Sequence, residues 1–105
     1  MGFYEWSAHY VEAESRDGFS VNDVVFIPFV DGSKLKTKKI KITTIKYDRS
    51  APKREWQNPT AICTEKRFFK QKNYEVPLSL LSKTQGEAKD IFIKQRKFLK
   101  SIKEI

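Results

Sequence analysis

Apolar and polar residues alternate with a period of two through much of the first 80 positions, a spacing typical of β-strands. The segment FYEWSAHYVEA alternates aromatic and small apolar residues with Glu5, Ser7 and His9, which predicts a first strand. Residues 24–29 form a short continuous apolar run rich in β-branched and aromatic side chains, which predicts a strand that is largely buried. Pro28 within this run has no backbone N–H to donate, so we expect that end of the strand at a sheet edge or a bulge.

The next segment, KLKTKKIKITTIKYDR at residues 34–49, is predicted to be the return strand of a hairpin, because Asp31-Gly32 is a hairpin turn signal. Its apolar residues change from one parity to the other near residues 38–39 and again near residues 43–44. A slip of one residue turns every side chain to the opposite face, and strands absorb such a slip by a bulge or a sharp bend. We therefore expect this strand to be strongly bent, with Ile40, Ile42, Ile45 and Tyr47 facing the core.

Two more strands are predicted after the loop bounded by Pro52 and Pro59, in TAICTEKRFF and in YEVPLSLLS, the second ending in a turn of helix. The spacing then changes to three and four residues. Thr84 and Glu87 match a capping box, and apolar positions recur from Ala88 to Ile105 along one face of an amphipathic helix of about five turns. This order predicts that residues 1–105 form one domain of the mainly-β class with one helix (α+β). A small, strongly bent, antiparallel five-stranded barrel spans residues 1–82, and a C-terminal helix at 84–105 packs on it.

The layout over about residues 20–82 resembles the SH3-like barrels, including the Tudor and chromo-barrel group. The resemblance lies in the order of a buried strand, a hairpin, a long basic strand and the terminal YEVPLSLL. It implies a compact barrel and does not imply a function, because one fold serves many functions.

Composition limits the class of protein. The chain has 105 residues, of which 39% are hydrophobic and 32% charged, values typical of one soluble globular domain. No apolar run is long enough to cross a bilayer, and the N-terminus lacks the pattern of a signal peptide, so a cytoplasmic location is expected. Cys63 is the single cysteine and His9 the single histidine, which offers too few ligands for a structural zinc. We therefore expect no metal and no cofactor.

Charge changes the picture most. The net charge is +8, and residues 31–72 carry thirteen basic and four acidic side chains, a local charge of +9. Such a concentration favours a polyanionic partner, nucleic acid in the first place. Lysine outnumbers arginine here, which suits contact with phosphates better than bidentate reading of bases. The predicted nucleic-acid-binding residues are Lys36, Lys38, Lys39, Lys41, Lys46, Arg49, Lys53, Arg54, Trp56, Lys66 and Arg67.

Each of these features has an alternative. Lysines on an exposed edge strand also deter aggregation without binding anything. Trp56 is either a loop aromatic packed on the barrel or a platform on which an unpaired base stacks. A group of four rings is either barrel core or a cage for a methylated lysine: Tyr4, Trp6, Tyr10 and Tyr47.

Function also stays open between two classes. The first is a non-enzymatic nucleic-acid-binding module. The second is a protein-interaction module, a regulator or inhibitor such as phages and mobile elements encode, which presents the basic face to an acidic protein surface. No glycine-rich phosphate loop, paired-carboxylate motif or nucleophile with a neighbouring base is present, so an enzyme is not expected. A small basic ribonuclease that works with Lys, Arg, Glu and Tyr is the enzymatic alternative.

Overall fold

The computed structural model describes residues 9–66 and 70–105. Within them the strands are antiparallel and one α-helix is present, which confirms the predicted mainly-β class with one helix. Short 3₁₀ turns occur at Arg54–Trp56, Leu78–Leu80 and Arg96–Ser101. The strands are β1 (Tyr10–Ala13), β2 (Ser15–Arg16), β3 (Phe19–Ser20), β4 (Val24–Asp31), β5 (Lys34–Asp48), β6 (Thr60–Lys66), β7 (Gln71–Pro77) and β8 (Lys103–Glu104), and the helix is α1 (Gln85–Gln95).

Strand β5 organises the main sheet. Along one edge its first half pairs with β4 and its last four residues pair with β1, while the other edge pairs with β6. The sheet then continues from β6 to β7 and from β7 to β8. Strands β2 and β3 form a separate small hairpin. Lys41, Ile45 and Lys46 of the long basic segment therefore have strand partners on both sides, whereas residues 34–40 pair with β4 alone in the described sheet.

A bulge interrupts β5 where the apolar pattern changes parity. Ile42 lies opposite Cys63 and Thr44 lies opposite Ile62, so Thr43 is the extra residue. The bulge allows both Ile42 and Ile45 to be fully buried although they are three residues apart. The predicted irregularity near residues 43–44 is confirmed. None occurs near residues 38–39, where β5 pairs regularly with β4, and Lys38 consequently shares the inward face with Ile40.

The predicted closed barrel is wrong for the described part of the chain. The second edge of β4 makes one isolated bridge, in which Phe26 and Ser82 exchange backbone hydrogen bonds of 2.8 and 3.0 Å. A single bridge is not a continuous ladder, so the sheet curls without closing. Pro28 lies on this same edge, two residues beyond the bridge, where a missing N–H costs nothing.

Helix α1 starts at the predicted capping box. The Glu87 N–H donates to Thr84 Oγ1 at 3.1 Å, and the Lys83 N–H donates to Glu87 Oε2 at 3.2 Å. The helix has 11 residues and ends at Gln95, short of the predicted five turns. The chain bends there, and Leu99 and Ile102 pack against the core while β8 pairs with the edge of β7. No helix among the described residues has both the length and the apolar character that a membrane crossing requires.

Residues from every long strand and from the turn after β7 meet in one core. Ile40, Ile42 and Ile45 are buried as predicted, and Tyr47 is half-buried. Ala88 of α1 is also fully buried. The core cluster consists of Val25, Ile27, Ile40, Ile42, Ile45, Ala61, Cys63, Tyr74, Val76, Leu78, Leu80 and Leu81.

The buried thiol of Cys63 gives stability a dependence on pH. Burial raises the pKa of Cys63 to about 12, whereas an unfolded cysteine ionises near pH 8.5. Above about pH 8.5 the unfolded chain loses a proton that the folded chain keeps, so the free energy of unfolding falls as pH rises. The expected slope is at most about 1.4 kcal/mol per pH unit. Denaturant titrations between pH 8 and 10 test this, and the prediction fails if Cys63→Ala shows the same slope.

Candidate nucleic-acid interface

The outward face of the sheet beside the bulge carries a groove of about 490 Å³. Lys39 and Lys41 project from β5, and Lys66 stands at the end of β6, and all three side chains are exposed. Val24 lies opposite Lys41 on β4, and Thr64 lies opposite it on β6. We call this surface the basic groove, and its lining residues are Asn22, Val24, Lys39, Ile40, Lys41, Thr43, Thr64, Lys66 and Gln71.

The charge of the basic groove is not neutralised within residues 9–66 and 70–105. Neither Lys39, Lys41 nor Lys66 forms an ion pair with a described residue, whereas Lys72 pairs with Glu104 at 3.6 Å. Cations gathered along a concave surface attract anions more strongly than the same cations scattered singly. The arrangement therefore suits an extended anion that reaches all three ammonium groups.

Lys38 does not belong to the basic groove. Its side chain is only 14% exposed, and its Nζ lies 3.5 Å from Glu65 Oε1. The same nitrogen lies 4.3 Å from the centroid of the Phe29 ring and 5.7 Å from that of Tyr74. The Tyr74 hydroxyl also donates to Glu65 Oε1, at 3.2 Å. Lys38 is thus held on the inward side of the sheet, where its ammonium group is compensated by a carboxylate and two rings.

A second basic group lies in the loop after β5, on the turn that carries Trp56. The indole is 57% exposed, so it is not packed on the sheet, and Lys53 Nζ lies 4.7 Å from its ring centroid. Arg54 Nη2 donates to Asp17 Oδ1 of the β2–β3 hairpin at 2.8 Å. At the start of the loop, the side chain and then the backbone N–H of Ser50 hydrogen-bond to Asp48 and lower the pKa of its carboxyl.

Arg16 positions this turn, and the sequence did not single it out. It is a buried arginine whose guanidinium carbon lies 4.6 Å from the Tyr47 ring centroid. Its Nη2 donates to the Arg54 carbonyl oxygen at 3.3 Å, and its Nε lies 3.6 Å from Asp17 Oδ2. The only sequence signal for the position of Arg16 was the neighbouring Asp17-Gly18 pair, which is typical of a two-residue hairpin turn. Such a turn fixes the direction in which the side chains of the two flanking residues point.

The structure thus divides the predicted binding residues. Lys39, Lys41 and Lys66 come together, and Lys53, Arg54 and Trp56 form the second group. Lys36 is exposed near the β4–β5 turn, Lys46 is half-buried beyond the bulge opposite Glu12 of β1, and Arg49 is exposed just after β5. Arg67 lies outside the described residues, as do Tyr4 and Trp6 of the suggested aromatic cage.

Sequence reasoning also missed groove residues that carry no charge. Val24 was assigned to a buried strand, yet the residue is 49% exposed and lines the groove. Thr64 donates from its hydroxyl to Asn73 Oδ1 at 2.8 Å and forms part of the polar wall. Residues along a strand alternate between the two faces of the sheet, and the face that is buried depends on which segments pack over it. The local sequence pattern therefore does not distinguish these residues from core residues.

The described residues give little support for a metal site. No three His, Cys, Asp or Glu side chains there are placed to hold a metal ion. Comparison with known proteins identifies no relative from which the site could be interpreted. The SH3-like layout therefore stays a prediction. No protein-family model, curated protein or solved structure matches the chain.

Proposed function

We propose that the protein is a non-enzymatic nucleic-acid-binding module that contacts the phosphate backbone through the basic groove. The observation that carries this proposal is the convergence of Lys39, Lys41 and Lys66, three cations without an ion pair to any described residue. A lysine that neutralises a phosphate releases a condensed counterion, so such contacts supply affinity without reading sequence.

The lining of the groove supports backbone contact more than base stacking. No aromatic side chain belongs to its described lining, whereas the exposed Gln71 offers an amide N–H that donates to phosphate oxygens. The ammonium groups of lysine are point charges, which tolerate many backbone geometries. Binding with little sequence preference follows from this combination.

Two further parts of this proposal concern the fold and the cellular location of the protein. The SH3-like layout is supported by the order of hairpin, long bent strand and 3₁₀ turn, followed by the Phe26–Ser82 bridge. A cytoplasmic location rests on the single cysteine, which cannot form an internal disulfide and is compatible with a reducing compartment.

One observation favours the second candidate function, binding of an acidic protein surface. Val24 exposes half of its side chain within the basic groove. A phosphate backbone makes no use of an apolar floor, but an acidic protein segment with an apolar residue buries both kinds of surface. The two functions share the lysines and differ in whether Val24 contributes.

A salt titration tests the leading proposal. The protein is titrated against labelled single- and double-stranded DNA and RNA at 50 and 200 mM salt. Three phosphate contacts give a slope of about −2.7 for duplex DNA, so the affinity is expected to fall about fortyfold between the two conditions.

Binding that is undetectable at 50 mM salt would contradict the proposal. Retention of an acidic peptide that carries one leucine among glutamates, lost in Val24→Ser and without retention of nucleic acid, would favour the second candidate. Recovery of intact RNA after incubation is expected, and shortened RNA would point to a ribonuclease.

A further inference from the structure

A second cavity bounded by described residues, about 680 Å³, shares no lining residue with the basic groove. It lies between the β2–β3 hairpin, the loop before β6 and the 3₁₀ turn after β7. Glu55, Asn58 and Ser79 offer polar groups, and Asp17 and Arg54 complete the lining. The apolar lining is Phe19, Pro59, Pro77, Leu78 and Leu81.

The walls of this cavity are held by the fold. Leu78 and Leu81 are buried, and the Leu78 N–H donates to the Pro59 carbonyl oxygen at 3.0 Å. Asp17 and Gly18 have φ angles of 53° and 87°, the positive pair of a type I′ turn, which fixes the hairpin. The Asp17–Arg54 ion pair at 2.8 Å joins the hairpin to the loop. A cavity tied on three sides is formed before any ligand arrives.

A lining that combines apolar side chains with a few polar groups matches the surface of a nucleobase, which has apolar faces and a hydrogen-bonding edge. Lys83 Nζ lies 5.6 Å from the Phe19 ring centroid and forms no ion pair with a described residue, so one cation near the cavity is present for a flanking phosphate. Arg54, which also lines the cavity, is already paired with Asp17. Trp56 does not line the cavity, although it belongs to the same turn as Glu55.

We infer that this cavity receives one unpaired base of the bound nucleic acid, packed against Phe19 and the leucines. The inference rests on the proposed function and adds that the preferred ligand is single-stranded. A base within a duplex is stacked and paired on its edge, so it cannot enter a pocket without extrusion. The stacking ring is then Phe19, and Trp56 remains outside the cavity.

Glu55 adds a base preference. It makes no ion pair with a described residue, and a carboxylate accepts hydrogen bonds only. Guanine presents two adjacent donors, N1–H and N2–H, to the two carboxylate oxygens. Uracil presents one donor between two carbonyl acceptors, which repel the carboxylate. The cavity therefore favours guanine over uracil.

The test uses a 12-nucleotide oligouridine with one central guanosine, the all-uridine strand, and a 12-base-pair duplex of the guanosine-containing strand. Ser79→Phe blocks the cavity from an exposed position, and Phe19→Ala removes the ring. Gln85→Phe, exposed at the start of α1, is the matched control for an added aromatic. Circular dichroism checks that each variant is folded.

We expect both cavity variants to bind the guanosine-containing single strand about 5- to 160-fold more weakly, the usual range for one stacked base. Duplex affinity and the control are expected to stay unchanged, and Glu55→Gln should remove the preference for guanosine over uridine. Unchanged single-strand affinity in folded Ser79→Phe, with salt-dependent binding retained, overturns this inference alone. If no strand binds at 50 mM salt, the proposed function fails as well.

Discussion

Reversal of two charges in the basic groove, Lys39→Glu with Lys41→Glu, is expected to weaken nucleic-acid binding at 50 mM salt by about two orders of magnitude. Each phosphate contact at that salt concentration contributes about one order of magnitude through counterion release. The salt slope should also become shallower by about two, because two contacts are lost. Fluorescence anisotropy with a labelled duplex at four or five salt concentrations measures both quantities.

The matched control places the same charge change elsewhere. Lys89→Glu with Lys94→Glu alters two exposed lysines of α1 and takes the net charge from +8 to +4, as the groove variant does, since each substitution removes a positive charge and adds a negative one. If binding depends on the groove, this control keeps the wild-type slope. An equal loss in both variants would show that net charge alone drives binding and that the groove is not the site.

Removal of the Lys38 counter-charge is expected to have the largest effect on stability. Glu65→Ala leaves the largely buried Lys38 ammonium without its carboxylate and the Tyr74 hydroxyl without this acceptor. Breaking one side of a buried pair typically costs about 3–5 kcal/mol, and because both side chains keep some exposure the expected loss is about 3 kcal/mol. Chemical denaturation of the variant and the parent gives the difference.

A double variant that lacks both charges tests whether the loss of stability comes from the uncompensated Lys38 ammonium group. Lys38→Met with Glu65→Leu removes both charges together, and it is expected to recover most of the lost stability because no charge is left uncompensated. Lys72→Ala, which breaks the more exposed pair with Glu104, should cost less than about 1 kcal/mol. A Glu65→Ala variant as stable as Lys72→Ala would mean that water reaches Lys38 and that the pair is not structural.

Features that depend on a few neighbouring residues were predictable from the sequence. The bulge at Thr43 follows from the change of parity among isoleucines, since both Ile42 and Ile45 have to reach the core. The start of α1 follows from Thr84 and Glu87, whose side chains satisfy amide groups within one turn. In both cases the interacting groups lie within four residues of one another.

The candidate site was predictable only in part. The excess of lysine between residues 31 and 72 includes Lys39, Lys41 and Lys66, which line one groove in the structure, and their role in binding stays a prediction. The identity of Phe19, Val24 and Asn58 as lining residues depends on which distant segments approach them. In the sequence alone, the half-buried Phe19 and the exposed Val24 look like core residues, because burial depends on which residues pack around a side chain.

What the sequence by itself determined is therefore local: the strand periods, the bulge, the hairpin turns and the beginning of the helix. Only the tertiary structure decided that Lys38 turns inward to Glu65, 27 residues away, while Lys39 faces solvent. It also decided that the helix stops at Gln95, where the chain bends so that Ile102 can reach the core, and that β4 meets Ser82 at one bridge. The physical reason is the same in each case. A charge finds its counter-charge, and an apolar face finds its cover, among residues that are remote in sequence, and no local pattern contains them.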